Sequence, residues 1–315
     1  MLLSIIIPSR GGPLGLWATI HSCISELEGL PGSEPYNYEF VVVTNGEMCD
    51  NVRSTLGHLD RYGRLTHVHS DSPLSAHVAR RMGVEAAKGD VLCFFDNHCL
   101  VGRGYFDRAV YDTQERGLGI VHSATVYHSG QGKNYHYNLQ LGYRFWGEAN
   151  LMAGDSCRPY RIAAGGHGGF VVRREVWDRV GGYGPDHLLK GYAGEELIFD
   201  LKAWRMGEEV WLDPKMVHYH FAGERGYSRH HTDEYYINLL TCALVIGGEK
   251  WLEKVYDSFC NGQHMRAASE SKLTWYEMYE EAWIRGADYS RHLDAVCGRS
   301  LDELLRYFEC EGVHA

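Results

Sequence analysis

Val91-Leu92-Cys93-Phe94-Phe95-Asp96-Asn97-His98-Cys99 is the stretch on which the fold turns. Its first five residues are apolar without alternation, as expected of a strand covered on both faces, and such strands belong to parallel sheets flanked by helices. Just upstream, residues 76–87 carry helical spacing and stop at Gly89, with a short strand over residues 66–68 before them. The N-terminus repeats the arrangement. An apolar run over residues 3–7 ends at Pro8-Ser9-Arg10-Gly11-Gly12, after which Leu16, Ile20, Cys23, Ile24 and Leu27 fall on one helical face. Pro31-Gly32-Ser33 breaks the chain before another buried strand, Phe40-Val41-Val42-Val43, which ends in Thr44-Asn45-Gly46.

This strand, helix, strand order predicts a Rossmann-like α/β fold with a mostly parallel central sheet. Ligands of open α/β sheets lie beyond the carboxyl ends of the strands, so Pro8, Thr44 and Asp96 should face one crevice. Further on, residues 120–127 read as a strand, and a Tyr- and His-rich segment covers residues 134–146. Gly165-Gly166-His167-Gly168-Gly169 precedes the apolar Phe170-Val171-Val172, and a helix from about Arg174 ends at Gly181-Gly182. A helix over residues 195–206 leads to a strand over 210–220, broken at Pro214, and from Asp233 the pattern is helical. The expected organisation is a catalytic domain over residues 1–230, with a nucleotide half (1–100) and an acceptor half (101–230), followed by a helical extension over 231–315. Residues 261–271 are the one weak hinge candidate.

A composition of 44% hydrophobic and 23% charged residues over 315 positions predicts an ordered globular protein. A formal charge of -10 argues against broad wrapping of nucleic acid, which needs clustered Lys and Arg, while leaving room for a local basic groove. Nine cysteines, an odd number without a Cys-x-x-Cys pair, read as reduced and mostly buried thiols. No apolar run approaches the about 20 residues a spanning helix needs, so a cytoplasmic location is expected.

Asp96 and His98 are two apart in an extended segment and point to one side. A carboxylate and an imidazole there could hold a divalent cation against a diphosphate, supplying charge for binding and for departure. The tripeptide alone also fits a strand-end Asp capping a loop beside an exposed His.

Over most of its first 220 residues the chain resembles the A-type (GT-A) nucleotide-sugar glycosyltransferases, in particular the polypeptide N-acetylgalactosaminyltransferases. The likeness is carried by Arg80, Gly83, Gly89, the strand 91–95 and Asp96-Asn97-His98-Cys99. It resumes at Gly168-Gly169-Phe170, Gly182-Tyr183 and Gly194-Glu195-Glu196-Leu197, with Trp204 and Gly207 beyond. Ser4-Ile5-Ile6-Ile7-Pro8 looks like the first strand of the large inverting family of these enzymes.

The resemblance implies a sugar transferred from a nucleotide-sugar to a hydroxyl, with Mn²⁺, or else Mg²⁺, as cofactor. Its third metal ligand falls at His220, with His218 as substitute or supporting group. In inverting relatives the second acid of the Gly194-Glu195-Glu196 motif is the general base, so Glu196 takes that role and Glu195 orients acceptor or sugar. Two acids opening a helix would also simply complement its dipole. Pro8, Ser9, Arg10, Thr44, Asn45, Arg80, Asn97, Gly168, Gly169 and Arg225 are the expected nucleotide-sugar contacts, with Arg80 and Arg225 as cations for the leaving diphosphate. The resemblance favours a UDP-sugar, but relatives carry acidic residues for uracil and ribose where Thr44-Asn45 stands, which weakens that assignment and leaves a GDP-sugar open.

Two rivals remain at this level: a nucleotidyltransferase making nucleotide-sugars, whose Gly-rich basic loop is only partly matched by Ser9-Arg10-Gly11-Gly12, and a non-catalytic nucleotide-sugar or glycan binder. The acceptor is undisclosed, and a glycan, a protein hydroxyl or a hydroxylated DNA base all fit. The rings of Tyr135-His136-Tyr137 and Tyr143-Arg144-Phe145-Trp146, with His167, are the candidate acceptor surface, or else core.

Overall fold

The computed structural model describes residues 1–10, 13–28, 36–60, 63–127, 134–135, 158–166, 168–221, 232–261 and 271–310. The chain begins with β1 (Leu3–Ser9), α1 (Pro13–Leu27), β2 (Tyr38–Asn45), α2 (Asp50–Asp60), β3 (Leu65–Ser70), α3 (Ala76–Ala86) and β4 (Val91–Phe95). Next come β5 (Cys99–Val101), α4 (Tyr105–Val110), β6 (Ile120–Tyr127), β7 (Asn134–Tyr135), β8 (Tyr160–Ile162), β9 (Gly169–Arg173) and α5 (Arg174–Val180). It continues through α6 (Glu195–Arg205), β10 (Val210–His220), α7 (Thr232–Gly247), α8 (Glu249–Cys260), α9 (Trp275–Val296) and α10 (Leu301–Cys310).

The sheet runs in the order β3-β2-β1-β4-β9-β6-β10-β5, with β7 beside β6 and β8 beside β10. Strands β1, β2, β3, β4, β6 and β10 point one way, and β9 and β5 oppose their neighbours. Strands β1, β2 and β4 are buried on both faces, as their unbroken apolar runs require. Leu3, Ile5, Cys93 and Phe95 pack against α1, α2 and α4 on one side. Ile6, Leu92, Phe94 and Phe170 pack against α3, α5 and α6 on the other. Side chains of α7, α8, α9 and α10 belong to that second cluster, so the C-terminal helices extend the core behind α6.

The short strand β5 was not evident from the sequence, and its register matters most for the site. It pairs antiparallel with β10, setting Cys99 opposite His220, and the Phe221 amide donates to the His98 carbonyl at 3.1 Å. Residues more than a hundred positions apart are thereby brought side by side. The ladder between β10 and β6 shifts register between Asp213 and Val217, at Pro214, which has no amide hydrogen to donate. Cys23, Cys49, Cys93, Cys99, Cys242, Cys260 and Cys297 are free thiols. Among the described residues no helix is long and apolar enough to cross a membrane.

Candidate active site

The carboxyl ends of β1 and β4, the turn into β5, the end of β10 and the start of α6 meet in one crevice. Asp96 Oδ2, His98 Nε2 and His220 Nε2 form a cluster with all three atoms within 4.8 Å of one another. His220 Nε2 lies 3.2 Å from Asp96 Oδ2 and 3.1 Å from His98 Nε2, and the two rings cross at 74°. Burial alone would raise the Asp96 carboxyl, but the hydrogen bond with His220 and the charge of Arg80 outweigh it and hold it well below the usual carboxylate range.

Asn97 sets the tautomer of His98. Its Nδ2 donates to Ser9 Oγ at 3.0 Å, which turns Oδ1 toward His98 Nδ1 at 2.9 Å. An amide oxygen only accepts, so His98 Nδ1 carries the proton and Nε2 presents its lone pair to the cluster. Two imidazole nitrogens and a carboxylate oxygen converging in this way fit a borderline divalent cation, with the crevice side left for other ligands. His218, by contrast, is fully buried and bound through Nδ1 to Ser123 Oγ at 2.7 Å, behind the cluster rather than in it.

Arg80 sits differently from the expected diphosphate contact. It is 2% exposed and its guanidinium is ringed by acids: Asp96 at 3.0 Å, Glu196 at 2.5 Å and Glu195 at 3.6 Å. It is therefore the hub that ties the Asp96-His98-His220 cluster to the start of α6, and its cation is committed to those carboxylates. Burial and the neighbouring charge of Glu196 push Glu195 up to about 8, against the opposing pull of Arg80.

Gly168 and Gly169 lie where a side chain would collide with neighbouring groups. Gly168 has φ +65°, and a Cβ there would lie 2.7 Å from Asp96 Cγ. A Cβ on Gly169 would meet the His218 ring at 2.4 Å, and one on Gly15 would meet the Asn97 carbonyl at 2.5 Å. The close approach of α1 to the Asp96-Asn97-His98 turn, which the sequence did not advertise, thus depends on Gly15.

On the neighbouring strand, at the end of β2 where Thr44 pairs with Ser9, Thr44 and Asn45 are buried. Thr44 Oγ1 lies 2.8 Å from both His67 Nε2 and His69 Nδ1, and Asn45 Oδ1 accepts from the Leu74 amide at 3.1 Å. These side chains shape the loop after β3. Pro8 is half-buried, Ser9 buried and Arg10 exposed at the end of β1. Arg225, His167 and the aromatic tract beyond Tyr135 lie outside the described residues.

Residues 4–181, more than half of the chain, match the family model described as Glycosyl transferase family 2. Polypeptide N-acetylgalactosaminyltransferase 3 of Drosophila melanogaster is 24% identical over 286 residues, covering 73% of this chain and 42% of the fly protein. Glycosyltransferase AglE of Haloferax volcanii is 23% identical over 193 residues, covering 60% of this chain and 58% of the archaeal one. The chain spans less than half the length of the fly protein and of the other animal N-acetylgalactosaminyltransferases it matches. The crystal structure of GalNAc-T7 with UDP, GalNAc and Mn²⁺ shares the fold at a TM-score of 0.70 and 18% identity, over 98% of this chain and 57% of that one. That of S. aureus TarS 1–349 with UDP-GlcNAc does so at 0.57 and 14% identity, over 99% and 88%.

Proposed function

The chain belongs to glycosyl transferase family 2, and from that membership we propose that it moves a sugar from a UDP-sugar to a hydroxyl acceptor, with a divalent cation and with inversion at the anomeric carbon. The single observation that carries this reading is the cluster of Asp96, His98 and His220 joined through Arg80 to Glu195 and Glu196. Mn²⁺, or Mg²⁺ in its place, would be held by Asp96 Oδ2, His98 Nε2 and His220 Nε2, and when bound it neutralises the diphosphate as that group departs. The ligands of the structural neighbours, UDP with GalNAc and Mn²⁺ in one and UDP-GlcNAc in the other, support a UDP-N-acetylhexosamine as the first donor to try. GDP-sugars are the second.

Each remaining step belongs to a side chain of this protein. Glu196, fixed by Arg80, accepts the proton of the acceptor hydroxyl as that oxygen attacks the anomeric carbon. Glu195, beside Glu196 at the start of α6 and 3.6 Å from Arg80, orients acceptor or sugar. Pro8, Ser9 and Arg10 border the diphosphate, Thr44 and Asn45 shape the pocket edge for the base, and Gly168 and Gly169 let β9 close on the cluster. Arg225 is the remaining candidate cation for the leaving group. Residues 1–230 form the catalytic unit in this reading, and 231–315 support it.

Purified protein incubated with Mn²⁺ and either UDP-GalNAc or UDP-GlcNAc should release UDP slowly to water and faster when a hydroxyl acceptor is present. Mass spectrometry of candidate glycans, peptides and DNA bearing hydroxylated bases would then identify the acceptor by the added N-acetylhexosamine. A folded protein that releases no diphosphate from any UDP- or GDP-sugar would remove the transferase reading.

A further inference from the structure

Asn238 is a fully buried polar residue in an otherwise apolar stretch of α7, and its amide reaches back to the loop before α6. Nδ2 donates to the carbonyls of Lys190 at 2.8 Å, Tyr192 at 2.9 Å and Ala193 at 3.2 Å, while Oδ1 accepts from the Lys190 amide at 3.1 Å. Cys242, one helical turn on, donates through Sγ to the Gly194 carbonyl at 3.5 Å. Arg285 of α9 lies 3.4 Å from Asn238 Oδ1 and is itself anchored by Glu234 and Glu281.

The clamped loop is strained where it matters. Ala193 has φ +78°, the only positive φ at a non-glycine position among the described residues, and Gly194 follows at φ +90°. A Cβ makes the left-handed region costly, so Ala193 needs an external hold. The next two residues are Glu195 and Glu196, whose helix starts at Gly194 with no side-chain cap.

We propose that Asn238 is a positioning residue for sugar transfer, holding residues 190–194 in the strained form that aims Glu195 and Glu196 at Arg80 and the crevice. The C-terminal helices then act on the chemistry through one amide. Neither Asn238 nor Ala193 belongs to the Asp96-His98-His220 cluster, so loss of the clamp should change UDP affinity far less than turnover. This inference rests on the reading of Glu196 as the base.

The test compares wild type with Asn238→Ala, Ala193→Gly and the double variant. Readouts are UDP release from UDP-N-acetylhexosamine with Mn²⁺, UDP affinity by calorimetry, and hydrogen–deuterium exchange. Asn238→Ala should lower kcat by about 10- to 100-fold, the scale of a small misplacement of a reacting group. UDP affinity should stay within about twofold and exchange should rise over residues 190–196. Because glycine takes φ +78° freely, Ala193→Gly in the Asn238→Ala background should recover kcat by roughly threefold. A kcat that falls only in step with lost folded protein and lost UDP affinity would overturn the proposal, as would unchanged exchange over residues 190–196. If wild type releases no UDP, the transferase reading fails, and exchange alone decides the clamp: faster supports it, unchanged refutes it.

Discussion

Arg80 Nη2 donates to Asp96 Oδ1 across 3.0 Å, joining helix α3 to the end of strand β4. The same guanidinium holds Glu196 through Nη1, so the proposed metal-ligand carboxylate and the proposed base share one buried cation. Neither acid can lose that partner, itself only 2% exposed, without leaving a partly buried charge uncompensated.

Replacing Arg80 with Met should therefore destabilise the protein by about 3–5 kcal/mol, the usual cost of removing one member of a buried ion network. Arg80→Lys keeps the charge and loses the fork that spans two carboxylates, so it should fold and still transfer poorly. Urea unfolding and UDP release measured on both variants check this. Full stability and full turnover in Arg80→Met would show that the network is dispensable.

Gly168→Ala should impair cation binding out of proportion to its effect on stability. It adds about 1–3 kcal/mol of left-handed strain and drives a methyl into the Asp96 carboxyl group. Gly181→Ala is the control, because Gly181 has a similar φ of +72° with open space around it. Mn²⁺ titrations followed by electron paramagnetic resonance should weaken for the first variant alone. Equal effects would mean that strain, not the approach to Asp96, sets the requirement for glycine.

Glu196→Gln should cost at least about 10²-fold in kcat while UDP affinity is retained, since an amide cannot take the acceptor's proton. The anomeric configuration of the product, read from NMR coupling constants, should be opposite to that of the donor. Retained configuration with a mild effect of Glu196→Gln would refute inversion.

Asp112 gives a pH dependence remote from the site. Burial, followed by the facing Asp213 carboxyl, pushes it up from 3.8 to about 7, with Arg108 and Arg116 opposing. The folded protein thus holds a proton that the unfolded chain releases near pH 4. Stability from this group is complete below that pH and is lost as pH rises through about 7. Asp112→Asn should escape the loss, so its melting temperature should gain on wild type between pH 5 and pH 8. A difference that does not vary with pH would contradict the raised carboxyl.

What the sequence disclosed follows from the range of the interactions concerned. The strand before Asp96 and the helix behind Glu195 were legible because burial on two faces and helical spacing are local patterns. His220 came only through resemblance, since its meeting with His98 depends on β5 pairing with β10, and three residues give little periodicity. Arg80 read as a phosphate contact because nothing local shows an arginine meeting acids 16 and 116 residues away. Gly168 and Gly169 were legible as close approaches, but not as approaches to Asp96 and His218. Asn238 left one trace, an amide within an apolar run, which marks a buried partner without naming it.

The most direct test is a crystal grown with Mn²⁺ and UDP and measured at a wavelength where manganese scatters anomalously. One strong peak is expected at coordination distance, about 2.0–2.2 Å, from Asp96 Oδ2, His98 Nε2 and His220 Nε2, touching the UDP diphosphate. UDP bound without an anomalous peak at these three residues, or a peak held by other side chains, would contradict the account.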